Sequence, residues 1–344
     1  MTHTHRATTR STSDSALSLR ARCSEDLIAA APLVLGFHPA ASVVMMTSDG
    51  ARPFHARADL PARDSPVDLA DLARALAADL VRSAVRNGAR SMALVFFSGD
   101  ERVVRWCWGA LRGAARQAGL HVADAVRVDG QRYYPLLGDR HSREVGIAYD
   151  VSAHPFVVEA VLHGIVVEKD RSVLTASVAP DPVFQGKVER ALTQVRAGTA
   201  GPPWADEERR YWGEWLRQAV ARHVDAGTAP DEARVAWLCW LLQDERVRDA
   251  AWSLIDRQGA SRHQSFWADV VRGAPDALVP APAALLGWAA WQAGHGALAW
   301  IAVDRCREVD DRYPMATLLS RCLEGAVPPD ILGSGFAWDE GLPA

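Results

Sequence analysis

The chain has 344 residues, 49% hydrophobic and 23% charged, with a formal net charge of −4. Enough apolar surface is present to offset the entropy of ordering two cores, which excludes wholesale disorder. The slight negative charge excludes a global field that would recruit nucleic acid or acidic lipid.

Arginine nearly replaces lysine: Lys169 and Lys187 are the only lysines. Cys23, Cys107, Cys239, Cys306 and Cys322 are scattered without a C-x-x-C pair. This spacing argues against a disulfide framework or zinc site and fits a reducing, cytoplasmic compartment. Residues 1–22 are rich in Thr, Ser, Arg and His, lack a signal-peptide apolar region, and are expected to form a disordered tail. The longest apolar run, Leu27 to Phe37, contains Pro32 and Gly36 and is too short to span a bilayer.

The first predicted element is a helix from Ser24 to Val34. Ser24 suits its N-cap, Glu25 and Asp26 suit its positive end, and Gly36 suits its stop. A strand Ser42–Thr47 follows, with Asp49-Gly50 as a two-residue hairpin turn and a return strand over 52–60. Leu69, Leu72, Ala73, Leu76, Leu80 and Ala84 form the apolar stripe of a helix over 66–87. The continuous apolar run Ser91–Phe97 suits a central strand covered on both faces. A helix over 101–118 comes next, then strands over 121–128 and 132–137 around Asp129-Gly130. These elements predict a mixed sheet of about five strands flanked by helices.

Residues 138–153 read as an irregular loop crowded with Asp139, Arg140, His141, Arg143 and Glu144. From Pro155 the period is helical. Gly198, Gly201, Pro202 and Pro203 mark the expected linker, residues 198–203. The chain thus divides into an α/β domain (23–197), a repeat-like helical domain (204–326) and a flexible tail (327–344). Eleven of the thirteen tryptophans lie from Trp204 onward, so the second core is built differently. Residues 232–257 form a weaker helical hairpin and 314–325 a capping helix.

Residues 283–310 read as a helical hairpin, with Leu286, Gly287 and Ala290 before the Gly294-His295-Gly296 turn and Ala299, Val303 and Cys306 after it. This order of small and large residues resembles a tetratricopeptide repeat, in which small side chains let two helices approach closely. No regular period of about 34 residues runs through the half, so a degenerate array is expected.

The segment from Asp26 through Pro32, Leu35-Gly36-Phe37-His38-Pro39, Ser42-Val43-Val44, Arg57-Ala58-Asp59-Leu60-Pro61, and Ala289-Ala290-Trp291-Gln292-Ala293-Gly294 with Ala299-Trp300 resemble an actinobacterial domain-of-unknown-function family, number 4192. The resemblance spans about residues 24–330. It implies an intracellular bacterial protein and no particular activity. It also implies a cysteine cluster in the loop after the last strand; this chain has Leu136 to His141 there, without cysteine, so no metal or redox role carries over.

No phosphate-binding G-x-x-x-x-G-K-[ST], H-E-x-x-H or G-x-S-x-G is present. Gly333-Ser334-Gly335 is a lone G-x-G with no helix after it. The leading candidate site is the turn at Gly36 and His38 with Ser42 and Asp59: the turn would aim His38 and Ser42 at one end of the sheet, with Asp59 orienting His38. The competing reading has Gly36 and Pro39 simply shaping the turn, with Phe37 packed and His38 exposed. The 139–144 loop is a second candidate. His154 and His163 lack ligand spacing, Cys107 between two tryptophans reads as buried, and Trp204, Trp212 and Trp215 with Arg209, Arg210 and Arg217 read as an amphipathic helix rather than a nucleic-acid stack. Together these features point to a protein-interaction or regulatory module, without cofactor or metal, for a protein or peptide partner. The alternative is a small-ligand binder or enzyme using the sheet edge near His38, Ser42 and Asp59.

Overall fold

The computed structural model describes residues 5–9, 17–49, 54–163, 167–329 and 336–343. The chain forms two compact units: Met1–Arg171 with Glu324–Ala326, and Ser172–Leu323 with Val327–Ala344.

The first unit begins with an antiparallel pair, β1 (His5–Thr9) and β2 (Leu17–Ala21). This corrects the expected disordered tail for the described part. Leu19 and Ala21 alternate with polar neighbours along β2 and are buried; a Ser/Arg-rich composition hid a period-two pattern. Helix α1 (Ser24–Leu35) is capped one residue earlier than expected, at Cys23. The Asp26 carboxylate reaches back to accept from the Arg22 and Cys23 N–H groups, while the Ser24 hydroxyl donates to Asp124 at 2.7 Å.

Strands β3 (Ser42–Ser48) and β4 (His55–Asp59) pair antiparallel. Thr47 and Phe54 are bonded through backbone and hydroxyl, and the two-residue turn expected at Asp49-Gly50 reaches past the described residues. Residues 50–53 lie outside the described residues. Helix α2 (Leu69–Arg86), β5 (Ser91–Phe97), α3 (Glu101–Gln117), β6 (His121–Asp129) and β7 (Arg132–Pro135) follow. Asp129 opposes Arg132, which places the β6–β7 turn on Gly130-Gln131, one residue later than expected; Gly130 takes the positive φ of 59°.

The predicted loop over 138–153 is partly ordered, as α4 (Arg140–Val145) and a two-residue strand β8 (Ile147–Ala148). Its crowded charges are helix chemistry. Asp139 caps α4 by accepting from Ser142 N–H at 2.9 Å, and Arg140 pairs with Glu144 one turn on. Helix α5 (Pro155–Leu162) completes the unit.

The sheet has six strands in the order β4-β3-β5-β6-β7-β8, mixed in direction, with β5 and β6 parallel. Its two faces bury two clusters. Val43, Met45, Met92, Leu94 and Phe96 meet α2 and α3. Val44, Met46, Ala93, Val95 and Val126 meet α1 and β2, with Ala160 of α5 in the same cluster. Alternation along each strand fills both layers, as a doubly covered central sheet requires.

The second unit is helical: α6 (Arg171–Ser177), α7 (Pro182–Gly198), α8 (Asp206–Ala226), α9 (Glu232–Leu241), α10 (Glu245–Trp252), α11 (Ala260–Gly273), α12 (Pro280–Gln292), α13 (Gly296–Arg307) and α14 (Pro314–Glu324). The division between units falls near Arg171, ahead of the expected linker at 198–203. Val188, Leu192 and Val195 of α7 belong to the helical core. The Gly/Pro segment is a turn within that unit, where Trp204 Nε1 donates to Ala200 O at 3.0 Å and the Trp240 ring closes over Gly201.

Every residue of α12 is buried. At Gly287 it packs against both α14 and α13: a Cβ there would lie 2.8 Å from Leu319 Cδ2 of α14 and 3.4 Å from Ala299 O of α13. Gly287 thus leaves room for both neighbours to approach α12 closely. Gly287→Leu should cost roughly 1–3 kcal/mol through overpacking, read as a lower urea midpoint with an unchanged slope.

The expected flexible tail also needs correction. Gly333-Ser334-Gly335 lies outside the described residues, but residues 336–343 are placed, and Trp338 is 4% exposed.

Candidate functional site

Register brings two of the four predicted site residues together. Ser42 opposes Asp59 on one side and Phe97 on the other, and Phe97 opposes Val128. Because β5 and β6 run parallel and end here, this row is their carboxyl edge, where open α/β sheets commonly hold ligands.

Gly36 stops α1 in the left-handed region at φ 79°, its N–H donating to Pro32 O. Phe37 is buried, and the segment pairs with Glu168: His38 N donates to Glu168 O at 3.0 Å and Glu168 N to Gly36 O at 2.8 Å. His38 is exposed. Asp59 does not orient it. The Asp59 carboxylate accepts from Arg57 Nη2 at 2.5 Å, and the guanidinium lies 5.7 Å from the centre of the Phe37 ring. The turn therefore follows the competing structural reading at Gly36, Phe37 and His38.

Ser42 is different. It is fully buried, and its hydroxyl has no hydrogen-bond partner. Arg57 Nε and His55 Nδ1, on the same face of β4, are also buried without partners. Burial pushes the His55 imidazole down to about 4. An orphaned buried hydroxyl costs about 1–3 kcal/mol. Ser42→Ala should therefore leave the melting temperature of the ligand-free protein unchanged or raise it; a fall of several degrees would show that the hydroxyl has a partner in solution.

At the same edge, over the α3 side, an open cavity of about 530 Å³ is lined by Arg63, Gly99, Asp100, Glu101, Arg102 and Arg105. Asp100 caps α3 by accepting from the Arg102 and Val103 N–H groups, so the donors that would hold an anion are already taken. Beside it, Arg127 is 6% exposed, bonds Asp129 at 3.1 Å and lies 3.9 Å over the Tyr134 ring. Sequence reading missed these groups, although the Gly99-Asp100 step between an apolar strand and a helix was visible.

The second candidate, Asp139 to Glu144, is the exposed helix α4. Hydrogen bonds from Ser142 hold the Asp139 carboxyl below its ordinary range. His154 has both ring nitrogens engaged, Nε2 with Asp26 at 3.0 Å and Nδ1 accepting from Phe156 N–H. It ties α5 to α1. Cys107 is buried and its thiol is pushed up to about 11 by burial. No group of three or more metal-ligating side chains occurs among the described residues.

In the helical unit the tryptophan–arginine run is the expected amphipathic helix. Trp204 is buried, and Trp212 stacks on Trp237 at 5.4 Å with Trp215 against both. Arg209 bonds Asp206 and Asp244, Arg210 bonds Pro343 O, and Arg217 bonds Ser253. The stack is not sealed. Tyr211 is 63% exposed and edge-on to Trp212, and Arg234 lies 4.8 Å over Trp215. Glu207, Glu208, Glu214, Asp231 and Glu232 are exposed on the same two helices or at their caps.

A two-layered helix cover over a six-stranded mixed sheet, followed by a tryptophan-rich helical unit, defines the class. The model of the family described as a domain of unknown function, DUF4192, matches residues 25–330, and the chain belongs to that family. Neither the curated proteins nor the solved structures yield a match. Among the described residues, no helix is long and apolar enough to cross a membrane.

Proposed function

We propose that this protein is a protein-interaction module, and that the half-exposed aromatic face of α8 and α9 receives a basic, extended segment of its partner. The carrying observation is the Tyr211–Trp212–Trp215–Trp237 cluster within a field of carboxylates. Arg209 and Arg217 of α8 are spent on internal bonds, while Glu207, Glu214 and Glu232 face water. Arg234 over Trp215 is the intramolecular example of the contact: a guanidinium on an indole face contributes about 0.5–1 kcal/mol at such a site.

The test uses a labelled peptide of alternating Arg and Gly and its Glu–Gly counterpart, titrated by fluorescence anisotropy. The basic peptide is expected to bind in a salt-dependent way. Tyr211→Ala should weaken it about two- to fivefold, and Tyr211→Ala with Glu214→Arg further. Equal binding of both peptides, or none of the basic one, sinks the reading.

Arginine in place of lysine supports an actinobacterial origin, and four buried free thiols support a reducing cytoplasm. We also read α12–α13 as tetratricopeptide-like. Because α12 is buried throughout, the partner is not placed along it.

A second reading is favoured by Ser42 and Arg57, whose orphaned donors share one face of the sheet: a small ligand held near His38, Ser42 and Asp59. A thermal-shift panel of nucleotides and metal ions would show it. A ligand at a hundred times its dissociation constant adds about 2.7 kcal/mol, and Ser42→Ala should abolish that gain. No shift, or the same shift in both proteins, excludes this reading.

A further inference from the structure

Residues 336–343, Phe-Ala-Trp-Asp-Glu-Gly-Leu-Pro, lie beyond the 25–330 span of the family match. They nevertheless sit on the helical unit in the manner of a bound peptide. Trp338 fills a notch in α8 made by Gly213, where any Cβ would overlap Cζ3 and Cη2 of the indole. Only glycine leaves that space, so residue 213 is matched to the ring it receives.

Two arginines hold the segment's polar groups. Arg210 Nη1 donates to Pro343 O at 2.7 Å, and its guanidinium lies 3.7 Å from the Asp339 carboxylate. Arg246 Nη1 donates to Trp338 O at 3.3 Å. Upstream, Phe336 meets Trp252 edge-on at 4.9 Å and stays 43% exposed. Arg246 also lines a cavity of about 670 Å³ with Arg209, Asp244, Glu245 and Asp249.

One deeply seated aromatic, flanked by an acidic residue and carbonyls on two arginines, is the anchor pattern of linear-motif recognition. The segment brings its own turn, Leu342 N–H to Asp339 O at 2.9 Å. We infer that the Gly213 notch with Arg210 and Arg246 is a peptide-recognition site. In this chain, residues 336–343 occupy it as a strap in cis. When the strap is displaced, the site takes a partner segment of the same chemistry, a tryptophan followed by acidic residues. This face is distinct from the aromatic patch at Tyr211, and its ligand has the opposite charge, so the two readings stand or fall separately.

The test uses the full-length chain and a labelled peptide with the sequence of residues 336–343. Trp338→Ala empties the notch, and this variant should bind the peptide saturably. Wild type should bind it at least about tenfold more weakly, because its own segment competes at an effective concentration in the millimolar range. Adding Gly213→Ala to Trp338→Ala should abolish binding while the helix keeps its fold, since alanine favours helix over glycine. A folded Trp338→Ala chain that ignores the peptide, equal affinity in wild type and Trp338→Ala, or binding that survives Gly213→Ala would each overturn the proposal. Hydrogen exchange on wild type gives a check independent of variant folding. The amides of 336–343 should exchange faster than those of α12, through local opening; exchange only with global unfolding would overturn it.

Discussion

Truncating Trp267 to alanine is expected to destabilise the helical unit by about 3–5 kcal/mol. Trp267 is 0% exposed on α11, edge-on to Phe266 at 5.0 Å, inside the core that also holds α7, α8, α9 and α12. The indole N–H has no partner, so Trp267→Phe should cost markedly less: it keeps most of the volume and removes an orphaned donor. The measurement is chemical denaturation followed by far-ultraviolet dichroism. Equal effects of the two substitutions would show that the void is refilled.

One turn earlier on α11, His263 sets the second large effect, a loss of stability in acid. Its side chain is 5% exposed with Nδ1 unpartnered. Burial lowers its pKa to about 4, outweighing Asp256, which raises it, with Arg262 lowering it further. The unfolded chain takes up a proton near 6.5, whereas the folded one resists until about 4. Between these values the unfolded state binds more protons, so stability falls as pH is lowered through that window. The full difference amounts to about 3 kcal/mol. Asp249 and Asp269 act oppositely, because burial raises their pKa in the folded state. The wild-type curve minus the His263→Gln curve isolates the histidine: it should slope between pH 6.5 and 4 and be flat above 7. A flat difference throughout would mean that the imidazole reaches water.

What the chain disclosed before folding was local. The apolar run Ser91–Phe97 became β5 with those bounds, and Ala73, Leu80 and Ala84 of the 69–84 stripe are buried on α2, with Leu69, Leu72 and Leu76 half-buried beside them. These features depend on neighbours no more than about four residues apart. The strand order, the edge strand β8 and the start of the helical unit depend on partners far along the chain, and no periodicity encodes them. Turn-formers at 198–203 marked a turn, but a turn and a domain boundary look alike in sequence.

The candidate site was half legible for the same reason. Ser42 and Asp59 meet because register in a hairpin pairs them. His38 does not join them, because Glu168, more than a hundred residues away, takes its backbone, and Arg57 takes the carboxylate meant for it. The Gly213 notch was invisible, since a glycine inside an amphipathic pattern reads as a weak spot until the ring that fills it is seen.

Helix α12 has no wet side. A surface helix can dock onto a half-built core and wait; one enclosed on every flank has nowhere acceptable to rest until its neighbours on all sides exist. Fragments ending before α13 or α14 would uncover part of a thirteen-residue, largely apolar helix and should precipitate. The helical unit is therefore committed to forming as a single block, with α12 as the piece that makes every other piece necessary.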